Sequence, residues 1–314
     1  MKENLKLVSA NEIQKMELPP INWIIKDLLP EGLALLAGRP KVGKSWLSSQ
    51  LALASSAGAQ TMDYFDTQKS KVLYIALEDN FRRLKDRINT MLKDGEASSD
   101  LFFLDQSEFR RFHLEGIKMI RQAVDQNEDL NLIIIDTLGN AISKDQRKFG
   151  LSFQDEYDFM AELQNIALQN QLCILLIHHT RKSEADSVFD EIVGTSGITA
   201  APDTLLILKK HSNGYILHVT GRDVKEENYL LTQDEETHRW IVMDKNIISA
   251  STVERQEIIE LFGGQYDLEI RVGQMAERLQ KSRESISQLL RKMLLAGEII
   301  KGSKTGLYKL PSPN

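Results

Sequence analysis

The chain has 314 residues, 42% of them hydrophobic and 27% charged. That suits one large globular domain plus a small one and excludes a low-complexity or fibrous protein. Its one cysteine, Cys173 in an apolar run, excludes an intramolecular disulfide. No apolar run approaches the ~18 residues of a membrane span, and Met-Lys-Glu-Asn-Leu-Lys at the start lacks a signal-peptide core, so the expected location is cytoplasmic.

Residues 1–31 read as a mixed N-terminal arm. Pro19-Pro20 breaks any helix. The patch Ile21-Asn22-Trp23-Ile24-Ile25 reads as core packing, with docking on a neighbouring subunit as the alternative. Then comes a strand-length apolar run, Leu33 to Ala37. It leads into Gly38-Arg39-Pro40-Lys41-Val42-Gly43-Lys44-Ser45, and a helix of small residues follows from Trp46 to Ala59. The eight residues fit the phosphate-loop pattern G-x-x-x-x-G-K-[ST], and strand, glycine-rich loop and helix N-terminus together make an anion site. Gly38 to Trp46 are the expected nucleotide contacts. Lys44 would reach the β- and γ-phosphates, and Ser45 would hold Mg²⁺.

Buried-strand candidates alternate with helices downstream. Lys71–Leu77 ends at Glu78-Asp79, and Phe81–Lys93 is a charged amphipathic helix. Leu101–Leu104 is a short strand and Leu114–Gln126 a helix. Leu132–Ile135 ends at Asp136, and Gln154–Gln171 carries an apolar helical face. Leu172–Ile177 ends at His178-His179. Thr204–Leu208 and Tyr215–Thr220 are further strands, the second followed by Gly221-Arg222, and alternation near Trp240–Met243 suggests an edge meander. Strands alternating with helices predict an α/β fold with a mainly parallel sheet, whose ligands bind at strand C-terminal ends. Ser45, Glu78, Asp136, His179 and Arg222 all follow apolar runs and are expected to converge there.

Nucleotide hydrolysis needs a phosphate cradle, Mg²⁺, a group that orients water, and positive charge for the transition state. Asp136 is the expected Mg²⁺ acid and Glu78 the acid that polarises water, ahead of Asp79. His178 or His179 would sense the γ-phosphate, with His179 preferred. Arg222 is either an arginine finger reaching a neighbour's nucleotide or the partner in a surface salt bridge. Lys209 and Lys210 are weaker candidates for the finger's role.

The ordered set of Gly38–Ser45, Leu77-Glu78-Asp79, Ile133-Ile134-Ile135-Asp136 and His178-His179-Thr180-Arg181-Lys182 resembles the plasmid RepA-type hexameric helicases within the RecA-like ATPases. The likeness runs from about Pro20 to Met243. It implies a RecA-like core, a homo-hexameric ring with ATP between subunits, and single-stranded DNA in the channel. By the same likeness Lys44 and Ser45 bind phosphates and Mg²⁺, Glu78 is catalytic, Asp136 assists the metal, His179 senses phosphate and Arg222 is the finger. DNA-contacting loops would fall at Gly139–Asp155, with Lys144, Arg147 and Lys148, and at Arg181–Ile192, with Arg181 and Lys182.

Residues 249–314 change character, so the expected organisation is an arm over 1–31, an ATPase domain over 32–248 and a small domain over 249–314. Net charge is −6, yet from Arg271 onward nine Lys and Arg face three Glu, so a +6 segment follows a body at −12. Three helices (to Phe262, Val272–Leu279, and one capped by Ser282) precede a hairpin over Ile299–Gly302 and Gly306–Leu310. This resembles a winged helix-turn-helix. Its third helix would present Arg283, Ser287, Gln288, Arg291 and Lys292 to duplex DNA, with Lys301 and Lys304 on the wing, unless the domain binds a partner protein. The leading expectation is an ATP-dependent DNA helicase or translocase. The alternatives are a DNA-binding ATPase that does not unwind (a helicase loader, partition or regulatory factor) and a small-molecule kinase.

Overall fold

Leu33, Leu35 and Ala37 point to one face of a sheet and Ala34 and Leu36 to the other, and all five are buried. This two-sided burial is what a strand of continuous apolar sequence requires. In the computed structural model, which describes residues 7–110, 115–142, 153–180, 192, 196–211, 214–245, 253–295 and 298–311, these five residues lie at the centre of a nine-stranded sheet.

In chain order the elements begin with a short helix α1 (Ala10–Lys15) and two short strands, β1 (Trp23–Ile25) and β2 (Leu29–Pro30). Strand β3 (Gly32–Gly38) leads to α2 (Lys44–Ala57), then β4 (Lys71–Ala76), α3 (Phe81–Leu92), β5 (Leu101–Asp105), α4 (Ile117–Asp125) and β6 (Leu130–Asp136). A short α5 (Leu138–Ala141) precedes α6 (Phe153–Gln169), β7 (Cys173–His179), α7 (Ser196–Ala200) and the strands β8 (Thr204–His211), β9 (Gly214–Gly221), β10 (Glu227–Gln233) and β11 (Trp240–Lys245). The large sheet has the order β11-β10-β9-β8-β3-β7-β6-β4-β5. Its pairs from β8 through β5 are parallel, and β8-β9, β9-β10 and β10-β11 are antiparallel. This is the mainly parallel, helix-covered core expected from the sequence, with the expected edge meander. Strand β10, which short Tyr229/Leu231 alternation barely marks, completes the meander.

One apolar cluster fills the face covered by α2 and α3, including Leu47, Leu51, Ala52 and Leu84. A second fills the face covered by α4 and α6, with Ile120, Met160, Leu163, Ile166 and Ala167. Each fully buried Leu or Ile on these faces contributes about 2 kcal/mol of transfer free energy. The described residues 7–31 are buried unevenly. Ile24, Ile25, Leu28 and Leu29 belong to the first cluster, whereas α1 has no buried residue and is held by its own Ser9–Glu12 capping box.

Three further helices, α8 (Val253–Glu260), α9 (Val272–Arg278) and α10 (Arg283–Leu295), accompany the short strands β12 (Ile270–Arg271), β13 (Ile300–Lys301) and β14 (Leu307–Lys309). The strands form an antiparallel sheet of order β12-β14-β13. These elements have their own core, including Ile258, Phe262, Met275, Ile286, Leu290 and Met293. Ser282 caps α10 by accepting from the Ser285 N–H at 3.1 Å. Strand β12 was not legible in the sequence.

The strand directions correct one expectation. Strand β9 runs antiparallel to β8, with Gly221 opposite Thr204. Arg222, just past the end of β9, therefore lies at the N-terminal edge of the parallel strands. It does not converge with Ser45, Glu78, Asp136 and His179.

Candidate nucleotide-binding site

Register alone brings four of the expected residues to one edge. Gly38 pairs with His179, Asp136 pairs with Ile177 on the other side of β7, and Ala76 pairs with Asp136. Glu78 follows two residues after Ala76, and the Leu77 N–H donates to the Asp136 carbonyl at 2.7 Å.

The loop from Gly38 to Ser45 wraps the start of α2. Gly43 has φ 104°, a conformation that favours glycine, and a Cβ there would collide with the Trp240 ring. No side chain caps α2, so its first N–H groups are left for an anion. Lys44 opens the helix with 5% of its surface exposed. Its Nζ donates to the carbonyls of Gly38 at 2.8 Å and Arg39 at 3.1 Å and lies 3.2 Å from His179 Nδ1. Burial pushes the Lys44 pKa down to about 8, against the pull of Asp136 and Glu78.

Asp136 is 3% exposed. Its Oδ2 accepts from the Tyr74 hydroxyl at 2.7 Å, while Oδ1 is buried with no hydrogen bond among the described residues. Burial raises its pKa, and Tyr74 and Ser45 hold it down. A buried carboxylate oxygen without a donor, next to a serine hydroxyl at the mouth of the phosphate loop, fits a hard cation such as Mg²⁺.

Glu78 is half-buried. Its Oε1 accepts from Thr137 Oγ1 at 2.9 Å and Asn140 Nδ2 at 3.2 Å, and His179 Nε2 lies 3.8 Å away. His179, then Thr137, keep the Glu78 carboxyl below the usual range despite its burial. Because the Lys44 ammonium can only donate, His179 Nδ1 accepts and the ring proton sits on Nε2, facing Glu78. His179 thus stands between the two groups, whereas buried His178 points to the other face of β7.

Asp79 faces away from this cradle. It pairs with Arg87 Nη2 at 2.6 Å and with Arg83 at 3.5 Å. Arg87 also donates to Ser49 Oγ at 3.3 Å and sits 5.5 Å from the Trp46 ring, which packs 4.7 Å from His238. Trp46 is thereby clamped on α2 between α3 and the turn before β11. Sequence reasoning missed Tyr74, Thr137, Asn140, Arg87 and Trp240. A lone tyrosine in the apolar run of β4 was the one available signal.

At the far edge, the Arg222 side chain is 60% exposed and its Nη1 pairs with Asp203 at 2.7 Å. Asp203 also accepts from the Leu33 N–H at 2.9 Å and Gln164 at 2.7 Å. This is the salt bridge offered as the alternative for Arg222, at a place from which it cannot reach this chain's own phosphate loop. Lys144, Arg147, Lys148, Arg181 and Lys182 lie outside the described residues. Arg283, Gln288, Arg291, Lys301 and Lys304 are exposed on α10 and around the β13–β14 turn. No described helix is long and apolar enough to cross a membrane.

A family model described as AAA domain matches residues 2–185. The DNA repair protein RadA of Chlamydia trachomatis serovar D is 28% identical over 181 residues. That match covers 58% of this chain but 34% of the relative, so the chain spans about a third of that protein's length. The crystal structure of the RadB recombinase aligns over 69% of this chain and 93% of its own at 16% identity, with a TM-score of 0.48.

Proposed function

The chain belongs to the AAA domain family, and from that premise we propose that it is an ATP hydrolase acting on DNA, a ring-forming helicase or translocase of RecA-like type. The observation that carries this reading is the convergence of Lys44, Asp136, Glu78 and His179 on the phosphate loop at one sheet edge.

The α2 N-terminus and loop N–H groups receive the phosphates of ATP. Lys44 exchanges its carbonyl contacts for the β- and γ-phosphates. Ser45 and Asp136 would hold Mg²⁺, which would supply neutralisation of developing phosphate charge. Glu78, kept ionised by His179 and Thr137 and oriented by Thr137 and Asn140, accepts the proton of the attacking water as the γ-phosphoryl group leaves ADP. His179 stands between Lys44 and Glu78, so gain or loss of the γ-phosphate changes its contacts and reports the nucleotide state. Arg222 serves as a finger in trans, a role supported by its exposure and by its distance from its own loop. Such a finger contributes about 10³–10⁵ in rate.

In this reading the ring is a homo-hexamer and single-stranded DNA runs through it, contacted by Arg147, Lys148, Arg181 and Lys182. The 249–314 region acts as a winged helix that meets duplex DNA, or a partner protein, through Arg283, Gln288, Arg291, Lys301 and Lys304. The likeness to a DNA repair protein favours a second reading, a DNA-binding ATPase that does not unwind. Strand displacement on a forked duplex separates the two. ATP-dependent unwinding that is absent in Lys44→Ala supports the helicase. DNA-stimulated hydrolysis without displacement supports the second reading.

A further inference from the structure

Strand β4 carries one hydroxyl that a purely apolar strand would not need. Tyr74 is 1% exposed and its ring packs 5.5 Å from Phe103. Its hydroxyl donates to Asp136 Oδ2 at 2.7 Å and lies 2.9 Å from Ser48 Oγ on α2. An ionised carboxylate only accepts, so the Tyr74 proton is committed to Asp136 and Ser48 is the donor to Tyr74. The Ser45 carbonyl, 3.3 Å from Ser48 Oγ, competes for the same single proton at the longer distance. The chain of donation therefore runs from the helix of the phosphate loop, through a buried tyrosine, to the carboxylate at the end of β6.

This chain fixes which carboxylate oxygen is used for what. With Oδ2 held by Tyr74, Asp136 cannot turn about its terminal torsion without losing a buried hydrogen bond, and Oδ1 is the oxygen left buried with no partner among the described residues. We infer that Tyr74 is a positioning residue for the metal: by occupying Oδ2 it commits Oδ1 of Asp136 to the Mg²⁺ shell beside Ser45. The inference rests on the reading of Ser45 and Asp136 as the Mg²⁺ end of the site. Removing such an outer partner of a metal-facing group costs about 10–100-fold in metal affinity.

The test uses the full-length chain and calorimetric binding of the non-hydrolysable ATP analogue AMP-PNP, titrated with Mg²⁺ and repeated in EDTA. Tyr74→Phe is expected to raise the half-saturating Mg²⁺ concentration about tenfold or more, with the metal-free affinity within about twofold of wild type. Ser48→Ala keeps the tyrosine but removes its donor, and is expected to move the Mg²⁺ requirement the same way by about threefold. An unchanged Mg²⁺ requirement in Tyr74→Phe, or a fall in metal-free affinity as large as the Mg²⁺-dependent fall, overturns the inference, the latter by assigning Tyr74 a general structural role. If Tyr74→Phe does not fold, an unchanged Mg²⁺ requirement in Ser48→Ala overturns it. Asp136→Asn separates the layers. If it raises the Mg²⁺ requirement and Tyr74→Phe does not, only the tyrosine's role fails. If it leaves the requirement unchanged, the metal reading of Asp136 fails and this inference falls with it.

Discussion

Lys44 Nζ stands 3.2 Å from His179 Nδ1, so the loop's cation is shared between two backbone carbonyls and the histidine that faces Glu78. The arrangement stores Lys44 in a buried place where its charge is costly, and a phosphate would reverse that cost.

The first prediction follows from the sign of that cost. The Lys44 pKa is lowered to about 8, so below pH 8 the free protein already holds the ammonium. Above pH 8 the free protein has lost that proton, while bound phosphate raises the pKa again. Nucleotide binding then takes up a proton and weakens by up to about tenfold per pH unit. Calorimetry at pH 7 and pH 9, in two buffers of different ionisation enthalpy, is expected to show uptake only at the higher pH and none in Lys44→Ala.

Gly43→Ala is expected to fail for two reasons. The residue has φ 104°, and its missing Cβ makes room for the ring of Trp240, which the Gln50 amide holds through the backbone of β11 at 2.6 and 2.9 Å. Strain of this kind costs about 1–3 kcal/mol. Thermal unfolding should fall by several degrees and nucleotide binding should be lost. Adding Trp240→Leu removes the collision but not the backbone strain, so recovery is expected to be partial.

How much of this was legible in the sequence depends on how local each requirement is. The phosphate loop is a contiguous pattern, and Glu78 and Asp136 are acids that end apolar runs, so all could be read directly. Tyr74 to Asp136 spans 62 positions and Gln50 to Trp240 spans 190, and no short pattern announces contacts fixed only by sheet order. Arg222 was misplaced because a residue ending a strand says nothing about strand direction. The Ser212-Asn213-Gly214 tripeptide between two apolar runs was a hairpin signal, and a hairpin makes β9 antiparallel. Strands β10 and β12 are too short or too polar for periodicity to reveal.

Thr137→Val tests the orientation of Glu78. Thr137 donates to Oε1 at 2.9 Å and helps hold the carboxyl pKa low. The carboxylate must be ionised to take the water proton, so a lower pKa keeps it active to lower pH. Losing the hydroxyl is expected to move the acid limb of the pH–kcat profile upward. Glu78→Gln should bind ATP normally and lose about 10²–10⁴ in kcat.

Arg222 at the sheet edge opposite the phosphate loop leads to a mixing prediction. Arg222→Ala and Glu78→Gln should each be nearly inactive alone. Mixed, they should recover hydrolysis, because the intact Arg222 of one variant reaches the intact Glu78 site of the other. No recovery on mixing, with subunit exchange verified, would place the finger elsewhere.

The most direct test of the central claim is ATP hydrolysis measured without DNA, with single-stranded DNA and with duplex DNA, using Lys44→Ala as the blank. Strong stimulation by single strands that weakens as salt rises is the predicted result. Turnover indifferent to both forms of DNA would contradict the account.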